Sequence, residues 1–212
     1  MIEAPKPSEI GNVFGLHQPH HMLSKLLWEI YELTNSMSVW EESGSWPVPM
    51  FQAFNTAVTA WHITDWLWQS NLETRTALRK RYGIFEDETQ KGLRKGLEAF
   101  QNAVAKENRS LYICREIANG SKHMRTTKRD GKIRAMAKWD PVVDGAGLVK
   151  PGDLVMSLRV ADGDAETDAE MCFINALGYW ERLFNDEKLL VGKARLPDKI
   201  IKASEPSAAK AF

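Results

Sequence analysis

The chain has little cysteine, no net charge and no long apolar run. Its two cysteines, Cys114 and Cys172, lie far apart and outside any paired motif, which argues against a disulfide scaffold and against a thiolate zinc site. The 28 basic side chains balance the 28 acidic ones, as in an ordinary globular protein. No apolar stretch reaches the roughly 20 residues that a membrane helix needs.

The first ten residues, MIEAPKPSEI, also lack the basic and apolar regions of a secretory signal. With so few cysteines, this predicts a cytoplasmic protein without a membrane partner. We expect no bound metal and no cofactor, since no motif for either is present.

A length of 212 residues favours one domain. Proline and glycine interrupt the first twenty residues, and proline and small residues fill the end of the chain. We therefore expect an irregular arm over residues 1–19, a helical bundle domain over 20–190 and a loose tail over 191–212.

Apolar residues form helical stripes in five segments, which predicts helices over about 20–37, 50–70, 88–108, 110–120 and 166–184. A sixth, short and charged helix is expected over 72–82, ending before Gly83. Asp87 is the expected N-cap of the fourth helix, and residues 39–49 are expected to separate the first helix from the second. The second helix is apolar nearly all round, which indicates a central position.

Between the fifth and last helices the apolar period changes to two. Residues 133–138 and 154–160 alternate between flanking turn residues, which predicts an antiparallel hairpin at about 132–161. A hairpin alone is marginally stable, so it should pack on the helices. The predicted fold is mainly α: a single-domain bundle of about five to six helices with one β-hairpin before the last helix.

Two polar clusters interrupt these apolar helices. In AWHITDWLWQ, His62 and Asp65 are three residues apart and share a helix face. In REIANGSKH, Arg115 and Asn119 are four apart. The lysine and histidine that follow lie at the end of the helix, where the negative dipole favours a protonated imidazole. Because buried polar groups need partners, we expect one buried network of His62, Asp65, Asn119, Lys122 and His123.

These clusters, with a hairpin ending in VADG and a closing helix containing YWERLF, resemble a widespread family of uncharacterised bacterial proteins. The signatures of that family are His-x-x-Asp-Trp and Asn-x-x-Lys-His. The resemblance covers about residues 23–184 and implies a bacterial helical protein, without implying an activity.

A more distant resemblance is to the HEPN domains, small helical bundles of bacterial toxin and phage-defence systems that often cleave RNA without a metal, typically as dimers. Their signature is an arginine, usually followed by a polar residue, and then a histidine four to six residues after the arginine. Asn119 and His123 match the polar residue and the histidine, whereas Ala118 stands at the arginine position. The phosphate would then have to be held by Arg115, Lys122 or Arg125.

The charged residues are unevenly distributed along the chain. Residues 109–138 hold nine basic and two acidic side chains, and residues 140–187 hold eleven acidic and three basic ones. One interpretation is an exposed nucleic-acid-binding patch of Lys122, Arg125, Lys128 and Arg129. The other is that basic side chains are neutralised by the acidic run Asp162, Asp164, Glu166 and Asp168.

Three functions follow from these patterns, and whether the chain is an enzyme stays open. The first is a binding module for a protein partner or a second copy, in which the polar network fixes the bundle. The second is a HEPN-like endoribonuclease, with Arg115, Asn119 and His123 as catalytic residues and His123 as the general acid or base. The third, which lacks a firm third nitrogen or second carboxylate, is a metal-dependent hydrolase with His62, Asp65 and His123 as ligands.

Overall fold

The structure, a computed structural model, describes residues 18–43, 47–120, 133–143 and 149–189. These residues form six helices and a three-stranded antiparallel sheet. In chain order the elements are α1 (Pro19–Ser43), α2 (Val48–Ser70), α3 (Leu72–Tyr82), α4 (Gln90–Glu107), α5 (Arg109–Gly120), β1 (Ile133–Val143), β2 (Val149–Asp162), β3 (Ala165–Asp168) and α6 (Ala169–Asp186). The mainly helical fold with a small sheet before the last helix is confirmed.

The ends of the chain contribute little to this description. Apart from residues 18 and 19, the predicted arm lies outside the described residues, and so does the predicted tail. Within the described ranges, no helix has both the length and the apolar character needed to cross a bilayer.

Helix α2 lies at the centre of the bundle and packs against the other five helices. Two buried indole groups hold it there. The Trp180 indole N–H in α6 donates to the carbonyl of Ala60 in α2 at 2.9 Å, and the Trp68 indole N–H in α2 donates to the carbonyl of Leu93 in α4 at 2.9 Å. An indole N–H buried in a core requires an acceptor, so these two hydrogen bonds fix how α4 and α6 lie on α2.

Two helix boundaries differ from the sequence-based expectation. Helix α1 continues to Ser43, into the segment expected to separate the first two helices. Helix α2 then begins at Val48 with Pro49 in its first turn, where proline costs no hydrogen bond. The expected separation is therefore shorter than residues 39–49.

The predicted N-cap of the fourth helix was wrong by two residues. Thr89 caps α4, and its hydroxyl accepts from the backbone N–H of Gly92 at 3.1 Å. The Asp87 carboxylate instead accepts from the backbone N–H of Thr89 at 3.1 Å. Asp87 thus orients the capping residue rather than the helix itself.

The sheet contains one strand more than the expected hairpin. After a turn at Gly163, where φ is +62°, β3 pairs with the end of β2. The last helix therefore starts at Ala169 rather than near Glu166, and its N-cap is Asp168, whose carboxylate accepts from the backbone N–H of Glu170 at 2.9 Å. Met156, Leu158 and Val160 of β2 are buried, and the sheet packs on α5 and α6.

Gly96 allows close contact between α4 and the buried Trp68. A Cβ atom at Gly96 would lie 2.3 Å from Cζ2 of Trp68, and the indole is held by its hydrogen bond to Leu93. Since this ring has little room to move, we expect Gly96→Ala to lower the free energy of unfolding by about 1–3 kcal/mol, measured by urea denaturation.

Gly178 in α6 provides a matched control for this substitution. Its Cβ atom would meet only the end of the flexible Arg182 side chain, at 3.5 Å. Gly178→Ala should raise the free energy of unfolding by about 0.4–1 kcal/mol, because alanine restricts the unfolded chain. Equal effects of the two substitutions would contradict the tight packing inferred at Gly96.

Candidate functional site

The helical period of α2 separates a core face from a cleft face. Ala60, Thr64 and Trp68 recur every four residues and are buried. A second stripe follows the i, i+3, i+4, i+7 spacing of one helix face, and its first three members are half-buried. This stripe consists of His62, Asp65, Trp66 and Gln69. The helix is central, as predicted, but it is not covered on all sides by the described elements.

A cleft of about 490 Å³ opens between this stripe, α4 and α5. We call it the polar cleft, because its walls bring together polar side chains from three helices. They are His62 and Asp65 of α2, Gln101 of α4 and Asn119 of α5, beside the ring of Trp66.

A second cavity of about 360 Å³ adjoins the polar cleft. Asp65 and Trp66 line both spaces, and Pro19, Gln69 and Ser70 complete the second. These two shared side chains therefore stand between two openings on the same side of α2.

The Asp65 carboxylate is positioned by a hydrogen-bonded group that links α2 to α4. The Gln101 amide donates to the Thr64 hydroxyl at 3.1 Å, and its nitrogen lies 3.5 Å from Oδ2 of Asp65. The buried Thr64 hydroxyl in turn donates to the carbonyl of Trp61 at 2.8 Å. Gln101 and Asp65 are thus held at fixed positions in the wall of the cleft.

His62 and Asn119 line the same cleft, and the described residues leave their hydrogen-bonding capacity unused. Across the ranges that the structure describes, no residue makes a hydrogen bond to the imidazole of His62 or to the side-chain amide of Asn119. An imidazole carries one donor and one acceptor, and an amide carries two of each. These groups are available to solvent or to a ligand.

Arg115 does not line the polar cleft, although it lies one turn before Asn119 on α5. Its guanidinium donates to the side-chain oxygen of Asn102 at 2.9 Å and lies 5.5 Å from the ring centroid of Trp61. The Arg115 guanidinium is therefore engaged with Asn102 and Trp61.

The structure places three members of the expected network, His62, Asp65 and Asn119, on one cleft. They are half-buried rather than buried, because the stripe on α2 faces the gap between α4 and α5. The other two members, Lys122 and His123, lie outside the described residues, as do Arg125, Lys128 and Arg129.

Charged side chains at the two ends of the basic segment contact the acidic run. Arg109 forms a two-pronged ion pair with Asp162, and Lys138 pairs with Glu166. These contacts belong to the second interpretation of the charge asymmetry. The centre of the basic segment falls within residues 121–132, which the structure does not describe.

The described part of the chain contains no complete set of metal ligands. No group of three or more histidine, cysteine, aspartate or glutamate side chains there could hold an ion. Of the three ligands considered for a hydrolase, His62 and Asp65 line the polar cleft, and His123 lies outside the described residues.

Gln101 is the cleft residue that sequence reasoning missed. It lies between Phe100 and Val104, two buried residues of an amphipathic helix, where a half-exposed glutamine is ordinary. Its position opposite Asp65 arises from the packing of α4 on α2, which no local spacing in the sequence reports.

A ligand site and a structural network respond differently to truncation. We expect His62→Ala and Asn119→Ala each to change the free energy of unfolding by less than about 0.5 kcal/mol, since neither side chain has a described partner to lose. Thr64→Val should lower it by about 1 kcal/mol, because it removes the hydroxyl that bonds both Gln101 and the Trp61 carbonyl. Urea denaturation of the three variants measures the difference, and losses of about 2 kcal/mol at His62 and Asn119 would instead make them structural.

The polar cleft thus combines a positioned carboxylate and amide with an imidazole and a second amide to which no described residue hydrogen-bonds. No protein-family model, no curated protein and no solved structure matches the chain. A function therefore has to be inferred from the chemistry of the cleft.

Proposed function

We propose that the chain is a cytoplasmic bacterial binding module, and that its site is the polar cleft. The observation that carries the proposal is that His62 and Asn119, without hydrogen-bonding partners in the described ranges, line the same cleft as the Asp65 carboxylate. Groups that served only to fix the bundle would be paired with each other. The free groups of the cleft instead suit a polar ligand.

The charge of the cleft indicates which ligands it favours. Asp65 is the only acidic residue among the described residues that line it, and no lysine or arginine of the described chain does so. A half-buried carboxylate favours a cation or a neutral N–H donor over an anion. We therefore propose a small ligand that carries N–H donors and no negative charge.

The size and rigidity of the cleft support a small molecule. Its volume of about 490 Å³ lies within the range of about 300–1,000 Å³ that is usual for ligand sites. One wall helix, α4, is held against α2 by the buried indole hydrogen bond from Trp68 to Leu93. A site held in this way loses little entropy when a ligand binds, and Trp66 offers a flat apolar surface beside the polar groups.

Binding can be tested with a screen of small fragments followed by proton–carbon spectra of the histidine rings. Fragments with ring N–H or amidine groups, such as benzamidine and 2-aminopyridine, should shift the His62 signal in a saturable manner. That signal is assigned by its loss in His62→Gln. Asn119→Ala should weaken the affinity about tenfold, because it removes a hydrogen bond from the site.

Asn55→Ala is the matched control for this test. Asn55 is an exposed asparagine on α2 and lines neither opening, so its replacement should leave the affinity unchanged. Hits confined to phosphate- or carboxylate-bearing fragments, or the absence of any saturable shift, would contradict the proposed site.

A second candidate function is metal-independent cleavage of RNA. It is favoured by one feature of the chain: Asn119 lines the cleft, and Lys122 and His123 follow it after two residues. In this function His123 would act as the general acid or base, and Lys122 and Arg125 would hold the phosphate.

RNA cleavage and ligand binding can be separated in one assay. A labelled single-stranded RNA incubated with the full chain and EDTA should be cut by the wild type and not by His123→Ala if the second candidate is correct. The affinity of the chain for this RNA should also fall steeply as the salt concentration rises, because neutralised phosphates release counterions. Intact RNA at all salt concentrations would contradict this candidate and leave the first in place.

A further inference from the structure

Cys114 and Cys172, the only cysteines of the chain, meet at the contact between α5 and α6. Their residues are 0% and 1% exposed. The Cys172 thiol donates to the carbonyl of Ser110 at 3.7 Å, and that carbonyl lies one helical turn before Cys114. The two thiols are also close enough to influence each other's ionisation. Residues 58 positions apart in the sequence therefore form one buried dithiol.

The two thiols are not equivalent. The neighbouring Cys172 thiol and burial both raise the pKa of Cys114. The neighbouring Cys114 thiol lowers the pKa of Cys172, against the effect of its burial. Because the thiolate is the reactive form of cysteine, this difference favours Cys172 as the nucleophile of the pair and Cys114 as the resolving thiol.

An apolar cavity of about 190 Å³ is lined by sequence neighbours of both cysteines, while the cysteines themselves lie behind its wall. Its walls include Ile117, which is three residues after Cys114, and Ala169 and Phe173, which flank Cys172. Two further wall residues, Phe54 and Ala135, are exposed, so the cavity reaches the surface.

We propose that Cys114 and Cys172 are an oxidation site at which hydrogen peroxide, entering through this cavity, forms a disulfide that links α5 to α6. The Cys172 thiolate attacks one peroxide oxygen. The S–O bond forms as the O–O bond breaks, and the departing hydroxide takes up a proton to become water. The Cys114 sulfur then displaces the hydroxyl from the Cys172 sulfenic acid, which leaves as a second water. Two thiols are oxidised and one peroxide is reduced.

The consequence would be a covalent link beside the polar cleft. Asn119 lies five residues after Cys114 on α5, so the disulfide would tie the helix that carries it to α6. It would also close a long loop, which restricts the unfolded chain. Oxidation should therefore raise the urea midpoint of unfolding, and this shift should reverse with dithiothreitol.

The site can be tested on the full folded chain with hydrogen peroxide, followed by alkylation in denaturant and intact mass measurement. The wild type should lose two hydrogens and both alkylatable thiols without forming a disulfide between chains. Cys114→Ser should stop at a sulfenic acid that dimedone traps. Cys172→Ser should react at least tenfold more slowly, since the remaining thiol has the raised pKa.

The wild-type measurement decides the proposal even if a variant fails to fold. The proposal would be overturned if a peroxide treatment that oxidises the urea-unfolded chain left both thiols of the folded chain free. Disulfides that form only between chains would also overturn it. Ala135→Leu, which narrows the cavity, should slow oxidation at least threefold, and Ala165→Leu, at an exposed position outside the cavity, should not. Equal rates for these two variants would overturn the cavity as the route.

Discussion

The hydrogen bonds that two buried indole groups make to backbone carbonyls set the arrangement on which the rest of the structure depends. Trp180 joins α6 to the middle of α2, and Trp68 joins α2 to the start of α4. An indole N–H inside the core loses its water, so only one helix placement satisfies each of them. The opposite side of α2 is then turned towards the gap between α4 and α5, and the polar cleft results from that rotation.

Much of the fold follows from the apolar period alone. The predicted bounds of α3 match the structure, because this charged helix lies between its N-cap Asn71 and the left-handed Gly83. The bounds of α5, which has a clear apolar stripe, differ by one residue. Strand β3 could not be predicted, since the four residues AETD show no alternation and gain their structure from pairing with β2. The N-cap of α4 is Thr89 and not the predicted Asp87. Both residue types suit an N-cap, and only the local backbone geometry distinguishes them.

The site was predictable to the extent that it depends on spacing within one helix. His62 and Asp65 share a face because they are three residues apart, and Asn119 was singled out because it interrupts an apolar helix. Gln101 and the meeting of Cys114 with Cys172 depend on how α4, α5 and α6 pack, which local sequence does not encode. The proposed RNA-binding residues lie outside the described ranges, so their role stays a prediction.

The position of Trp180 in the last helix also has a consequence for how the protein is made. Its indole fills the core against Ala60, in a helix that begins about 130 residues earlier in the chain. While the ribosome is still producing the sheet, α2 has been synthesised but lacks this covering. In the nascent chain, the apolar helix α2 therefore stays partly exposed to solvent until α6 emerges. During that interval the chain is most prone to aggregate and to bind chaperones.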